Sequence, residues 1–202
     1  MVWMTIARIS IATWLVVLGA PLDVLVDSHH PLPPWYAPGE REEARQALDQ
    51  MLADFDFPVE VRSDYRSYDL QLEAYERLVK EQGQERADQV IARPGYSEHQ
   101  LGTAFDLSWA GLPIEWDEPR NRALWMALEE HAHEYGFVIS YPLKETSEWP
   151  YSNRWVPVGT DFRWEPWHVR YVGKNLAAQM RQAGYLDPSN PLIPQDFYQA
   201  WP

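Results

Sequence analysis

Between Glu40 and Pro58 the sequence leaves room for little except one amphipathic helix. Ala44, Ala47, Leu48, Met51, Leu52 and Phe55 fall at i, i+3, i+4, i+7, i+8 and i+11, a stripe down one helical face. Glu40, Glu42 and Glu43 sit where the positive end of the helix dipole favours acid, and Pro58 stops the helix. A helix apolar on one side must bury that side, and the segments that follow offer short strands to bury it against. Val59–Glu60–Val61 reads as one strand and Thr103 to Ser108 as another. Between them a second helix is predicted from Ser67, as N-cap, to about Gly83, and Gly95 to Ser97 form a turn. Asp117 as N-cap with Pro119 in the first turn opens a third helix, which ends before Gly136. Phe137 to Ser140 is a further strand, and a last helix is expected over Val169 to Gly184. Helices separated by short strands predict an α+β fold rather than a doubly wound sheet.

With 202 residues the chain is expected to form one domain, its body over residues 24–186. Arg8 is the only charge before Asp23, and Ile9 to Leu22 is an uncharged, mostly apolar run. That run is too short for a membrane span and long enough for the core of a signal peptide. Two readings of residues 1–23 stay open: a signal or anchor segment, or buried strands at Trp14–Leu18 and Val24–Val26. Residues 187–202, with Pro188, Pro191 and Pro194, are expected to be an irregular Pro-rich tail over the surface. Residues 141–165 form a long aromatic connection, and a loop of that length in a compact domain is usually functional.

Charge excludes one class of partner. Thirty Asp and Glu against 17 Lys and Arg give a formal charge of −13, with no basic run, so nucleic acid is not expected as a partner. The absence of cysteine removes disulfides, thiolate metal sites and a Cys nucleophile together. Any metal must then be held by histidine and carboxylate.

Two stretches offer those groups. In a strand from Thr103, Phe105 and Leu107 face one way while Ala104, Asp106 and Ser108 face the other. The apolar pair belongs to the core, so Asp106 faces a cleft or solvent. Gly102 permits the sharp bend that brings His99 back beside it. In Glu165–Pro166–Trp167–His168, Pro166 keeps Glu165 out of helical geometry. His99, Asp106 and His168 would make a His₂Asp donor set suited to Zn²⁺ with a coordination position left open, and Glu165 would stand nearby as a proton acceptor. His131 shares a helical stripe with Leu124, Ala127 and Leu128 and is expected in the core or supporting the ligands rather than as a ligand itself, whereas His133 is expected to be exposed.

The pattern Ser97-x-His99-x-x-Gly102-x-Ala104-x-Asp106, followed by Glu165–Pro166–Trp167–His168, resembles the signature of the VanY-type D-alanyl-D-alanine carboxypeptidases. That family also includes L,D-carboxypeptidases and related phage endolysins. Tyr65–Arg66–Ser67–Tyr68–Asp69–Leu70–Gln71, Tyr135–Gly136–Phe137 and Val169–Arg170–Tyr171–Val172–Gly173 resemble it as well. The resemblance implies a small central antiparallel sheet flanked by helices, as in Hedgehog signalling domains. It implies one zinc ion on His99, Asp106 and His168, Glu165 as catalytic base, and Arg66, Gln71 and Ser97 lining the substrate pocket. Arg66 also suits the chemistry independently, since a guanidinium offers paired donors to a terminal carboxylate and to developing negative charge. The implied substrate is a peptidoglycan stem peptide ending in D-Ala, handled by a monomer with no protein partner. A location outside the cytoplasm is favoured, with a cytoplasmic one the alternative, since the positive n-region is thin. D,D-carboxypeptidase is the leading activity; L,D-carboxypeptidase, L-Ala-D-Glu endopeptidase and a zinc-containing peptide-binding module are the alternatives. The chain departs from the family in its longer aromatic approach, Trp149 to Trp164.

Overall fold

The structure, a computed structural model, describes residues 21–144 and 164–201. The strand reading of Trp14–Leu18 and almost all of the aromatic approach from Trp149 lie outside the described residues. Helix α1 (Glu42–Asp54) forms where the apolar stripe requires it and buries Ala44, Leu48 and Met51. Strand β1 (Val59–Ser63) follows, and then α2 (Tyr68–Gln82), whose N-cap Ser67 accepts a hydrogen bond from the Leu70 amide. A short helix α3 (Gln84–Val90) continues beyond Gly83, where no helix was expected.

Strand β2 (Ala104–Trp109), helix α4 (Pro119–His131), strand β3 (Phe137–Ile139), strand β4 (His168–Tyr171) and helix α5 (Lys174–Ala183) complete the order. The four strands form one antiparallel sheet in the order β1-β2-β4-β3. The sheet is small and the helices flank it, as expected for the α+β class.

Three expectations need correction. The helix predicted from Val169 starts only at Lys174; the alternating residues His168–Tyr171 pair with β2 on one side and β3 on the other. The β-branched and aromatic character of Val169 and Tyr171 suits a pleated surface packed on both neighbours. The N-cap of α4 is Glu118 rather than Asp117, because the Glu118 carboxylate reaches the Arg120 amide with Pro119 in the first turn. The C-terminal residues are not simply laid over the surface: Ile193, Pro194 and Gln195 are buried, and Val24 forms an isolated parallel bridge with Gln199.

Register decides what each sheet face carries. Phe105 and Val169 are partners, and both enter the main core with Leu48, Met51, Leu124, Leu128 and Phe137. Burying a side chain of this size contributes about 1.5–3 kcal/mol, so this face anchors β2 and β4. The opposite face carries Asp106 directly across from His168, and Ala104 across from Arg170. The alternation that buries Phe105 thus turns Asp106 and His168 towards each other.

Candidate metal centre and substrate pocket

His99 comes from a one-turn 3₁₀ segment, Glu98–Leu101, wedged between a turn and β2. Ser97 caps it by accepting from the His99 amide at 3.3 Å. Gly102 ends it at φ 75°, and a Cβ there would lie 2.0 Å from the Gly39 carbonyl oxygen, so the segment closes against the chain before α1 only with glycine. The Arg41 amide bonds the Gly102 carbonyl at 2.9 Å and holds the two segments together.

The three metal-type side chains meet here. One ligand atom from each of His99, Asp106 and His168 lies within 4.8 Å of the others. The His99 Nδ1 lies 2.8 Å from the Asp64 carbonyl, an acceptor only, so Nδ1 carries the proton and Nε2 is left for a ligand. That Nε2 is 3.2 Å from Asp106 Oδ2. His168 Nδ1 is 2.9 Å from Asp106 Oδ1, while its Nε2 is 3.1 Å from Glu98 Oε2. Two imidazole nitrogens and one carboxylate therefore converge from two strands and a tight turn, and this donor set fits a divalent zinc ion.

Burial opposes charge on His168 and Asp106, and their contacts overcome it. Burial pushes the His168 imidazole down, but hydrogen bonds to Asp106 and Glu98 outweigh this and raise it to about 10. Burial likewise works against the Asp106 carboxylate, yet His99 and His168 hold it well below the usual range.

Glu98 and Arg170 complete the arrangement, and neither was singled out from the sequence. The Arg170 guanidinium donates to Glu98 Oε1 at 2.8 Å, with both side chains wholly buried. Breaking such a pair by removing one partner costs about 3–5 kcal/mol. Despite burial, Arg170 first and then His168 and Ser140 hold Glu98 down at about 2. A signal for Arg170 existed: it stands two residues from His168 in an apolar strand, where an unpartnered charge is not tolerated. Its partner lies 72 residues away and carries no such signal.

The metal-type residues form the floor of an open cleft of about 470 Å³, mouth included, lined also by Arg66, Gln71, Ser97, Glu165, Tyr141 and the apolar segment Val90–Ala92. All seven residues expected at the site are in this one cleft. Arg66 is held by neutral partners: its Nη1 donates to Gln71 Oε1 and its Nη2 to Ser63 Oγ, each at 2.9 Å. Gln71 is itself fixed, its amide donating to the Ala92 carbonyl at 2.6 Å. Glu165 leaves the turn before β4 with its amide bonded to the Tyr141 carbonyl and its carbonyl accepting from the His168 amide. Tyr141, also missed in the sequence, lays its ring 5.1 Å from that of His168. His131 is not in the core. It is half-exposed and bonded to Glu134 at 3.0 Å, while His133 is partly buried rather than exposed.

Comparison with known proteins bears on this cleft. The YodJ protein of Bacillus subtilis is 35% identical over 144 residues, 68% of this chain and 48% of its own length. A D-alanyl-D-alanine carboxypeptidase of Enterococcus faecalis is 30% identical over 183 residues, 80% of this chain and 62% of its own. The chain thus spans about half to three-fifths of the length of these relatives. Among solved structures, the L,D-carboxypeptidase DacB of Streptococcus pneumoniae is 32% identical with a TM-score of 0.69, covering 87% of this chain and 85% of the other. A sequence model described as D-alanyl-D-alanine carboxypeptidase, VanY, matches residues 39–174, from the Gly39 contact beneath Gly102 to the first residue of α5. That match takes in every residue of the cleft and most of the chain, and the chain belongs to the VanY family of D-alanyl-D-alanine carboxypeptidases.

Proposed function

We propose that the chain is a zinc-dependent carboxypeptidase that removes the C-terminal D-Ala from peptidoglycan stem peptides ending in D-Ala-D-Ala. The observation that carries the reading is the convergence of a His₂Asp donor set, a glutamate and a braced arginine on one cleft. Nε2 of His99, the Asp106 carboxylate and Nδ1 of His168 would hold one zinc ion. When bound, zinc supplies Lewis-acid polarisation of a carbonyl and lowers the pKa of water.

The chain's own residues do the rest. Arg66 binds the terminal carboxylate of the peptide, its guanidinium held in one orientation by Gln71 and Ser63. Gln71 therefore acts through Arg66, since its amide oxygen and nitrogen are both engaged. Val90, Ile91 and Ala92 provide the apolar wall on which a methyl side chain rests. Glu165 accepts the proton of the attacking water and delivers it to the amine as the C–N bond breaks. Ser97 sets the entry of the turn that carries His99.

A VanY-type structure solved with D-alanine-D-alanine, 26% identical with a TM-score of 0.60, supports the substrate class. Removal of D-Ala from a tetrapeptide is a second reading. It is favoured by the L,D-carboxypeptidases DacB and LdcB, at 32% and 34% identity. No described helix is long and apolar enough to cross a membrane. Action on peptidoglycan stem peptides would put the activity outside the cytoplasm. Residues 24–186 would form the peptidase domain, residues 1–23 a leading segment and residues 187–202 the tail. Mass spectrometry of zinc-loaded protein with penta- and tetrapeptide muropeptides tests the activity. Loss of one D-Ala from the pentapeptide alone supports the first reading, trimming of the tetrapeptide the second, and no change in either refutes both.

A further inference from the structure

We propose that Glu98 is the positioning residue for His168: its carboxylate accepts the Nε2–H of the imidazole and so presents Nδ1 to the metal. This rests on the zinc reading of the cleft. An imidazole that binds metal through one nitrogen is oriented by whatever accepts the proton on the other. For His99 that acceptor is the Asp64 carbonyl. For His168 it is Glu98, at 3.1 Å.

Glu98 is a carboxylate beside the centre, yet it is built as a support rather than a ligand. Its Oε2 also accepts from Ser140 Oγ at 2.6 Å, and its Oε1 from Arg170 Nη1 at 2.8 Å. Glu98 borders the cleft, but both its oxygens are already engaged and its side chain has no exposure. Arg170 is fixed in turn. Its Nη2 donates to the Leu22 and Val24 carbonyls at 2.9 and 2.6 Å, and its guanidinium lies 4.1 Å from the centre of the Tyr198 ring. Those three residues lie outside the family match of residues 39–174. The chain's own flanking segments thus close the stack Tyr198–Arg170–Glu98–His168 behind the candidate metal centre.

The test separates orientation from folding and from peptidase activity. Removing Glu98 alone would strand a buried arginine, so the informative variant is Glu98→Met with Arg170→Met, which removes the pair together. Zinc affinity is measured by competition with a chelator, folding by urea denaturation of the metal-free protein, and the imidazole tautomer by nitrogen-15 NMR of the zinc-loaded form. The wild type is expected to show His168 protonated on Nε2. The double variant is expected to fold and to bind zinc about 10–100-fold more weakly. Glu98→Gln, which keeps an acceptor oxygen, should retain most of the affinity. Leu128→Ala, a core truncation away from the centre, should lose stability without losing zinc. A folded double variant within threefold of wild-type affinity, or a zinc-loaded wild type protonated on Nδ1, overturns the proposal. None of these readouts depends on which peptide is cleaved, so a failed peptidase assay leaves it standing on its own evidence.

Discussion

Replacing Gly102 by alanine should damage the protein more than the same change at Gly111, although both glycines have nearly the same positive φ, 75° and 78°. For an L-residue the left-handed region costs about 1–2 kcal/mol, and both variants incur that cost. At Gly111 an added Cβ meets nothing within 4 Å. At Gly102 it would lie 2.0 Å from the Gly39 carbonyl oxygen and 3.3 Å from the Arg41 amide nitrogen, so backbone must move. Forced displacement of packed structure costs about 1–3 kcal/mol more. The expected loss is then about 2–5 kcal/mol for Gly102→Ala and about 1–2 kcal/mol for Gly111→Ala. At about 2–4 °C per kcal/mol for a chain of this size, Gly102→Ala melts roughly 4–20 °C lower than wild type. Urea denaturation of the metal-free proteins measures both losses. Zinc titration should show weakened binding only for Gly102→Ala, because the displaced turn carries His99. Equal destabilisation of the two variants, within about 0.5 kcal/mol, would refute the argument that close approach fixes this turn.

Arg66→Lys should lower kcat/KM about 10–100-fold with zinc content unchanged, since one paired contact to a charged group is worth about 1.5–3 kcal/mol; steady-state kinetics on the pentapeptide checks it. Asp88→Asn should loosen the segment leading to Ala92. Hydrogen bonds from Arg93, and less strongly from Tyr75, hold the Asp88 carboxyl down at about 2 against 3.8 when unfolded. Its contribution is present above pH 3.8 and lost as pH falls through 2. Asp88 is partly exposed and screened, so the difference between wild type and variant should be at most about 1 kcal/mol at pH 6. It should vanish near pH 2, as read from urea midpoints at the two pH values. Removing zinc with a chelator should lower the melting temperature, and adding free zinc back should raise it progressively with concentration, as linkage requires.

Much of the site could be read in the sequence because local rules governed it. The alternation of Phe105 and Leu107 against Asp106 needed only the two-residue period of a strand, and Ser67 and Pro58 set helix limits through capping and a missing amide. What escaped was tertiary. His168–Tyr171 is too short to be told from the start of a helix by periodicity, and its pairing with both β2 and β3 decided the matter. Glu98 stood inside the motif that named Ser97 and His99, but its meaning depends on Arg170, and Arg170 in turn on Leu22, Val24 and Tyr198. His131 followed the apolar stripe and still reached solvent, because α4 ends there and a 3₁₀ turn carries the chain away.

The central claim is that Glu165 moves protons beside a zinc ion held by His99, Asp106 and His168. Its most direct test is mass spectrometry of a D-Ala-D-Ala muropeptide incubated with wild type and with Glu165→Gln, zinc content being measured on both proteins. The account predicts one zinc per chain in each, loss of one D-Ala with the wild type and none with Glu165→Gln. An inert zinc-loaded wild type, or a Glu165→Gln variant that still trims the peptide or loses its zinc, would contradict it.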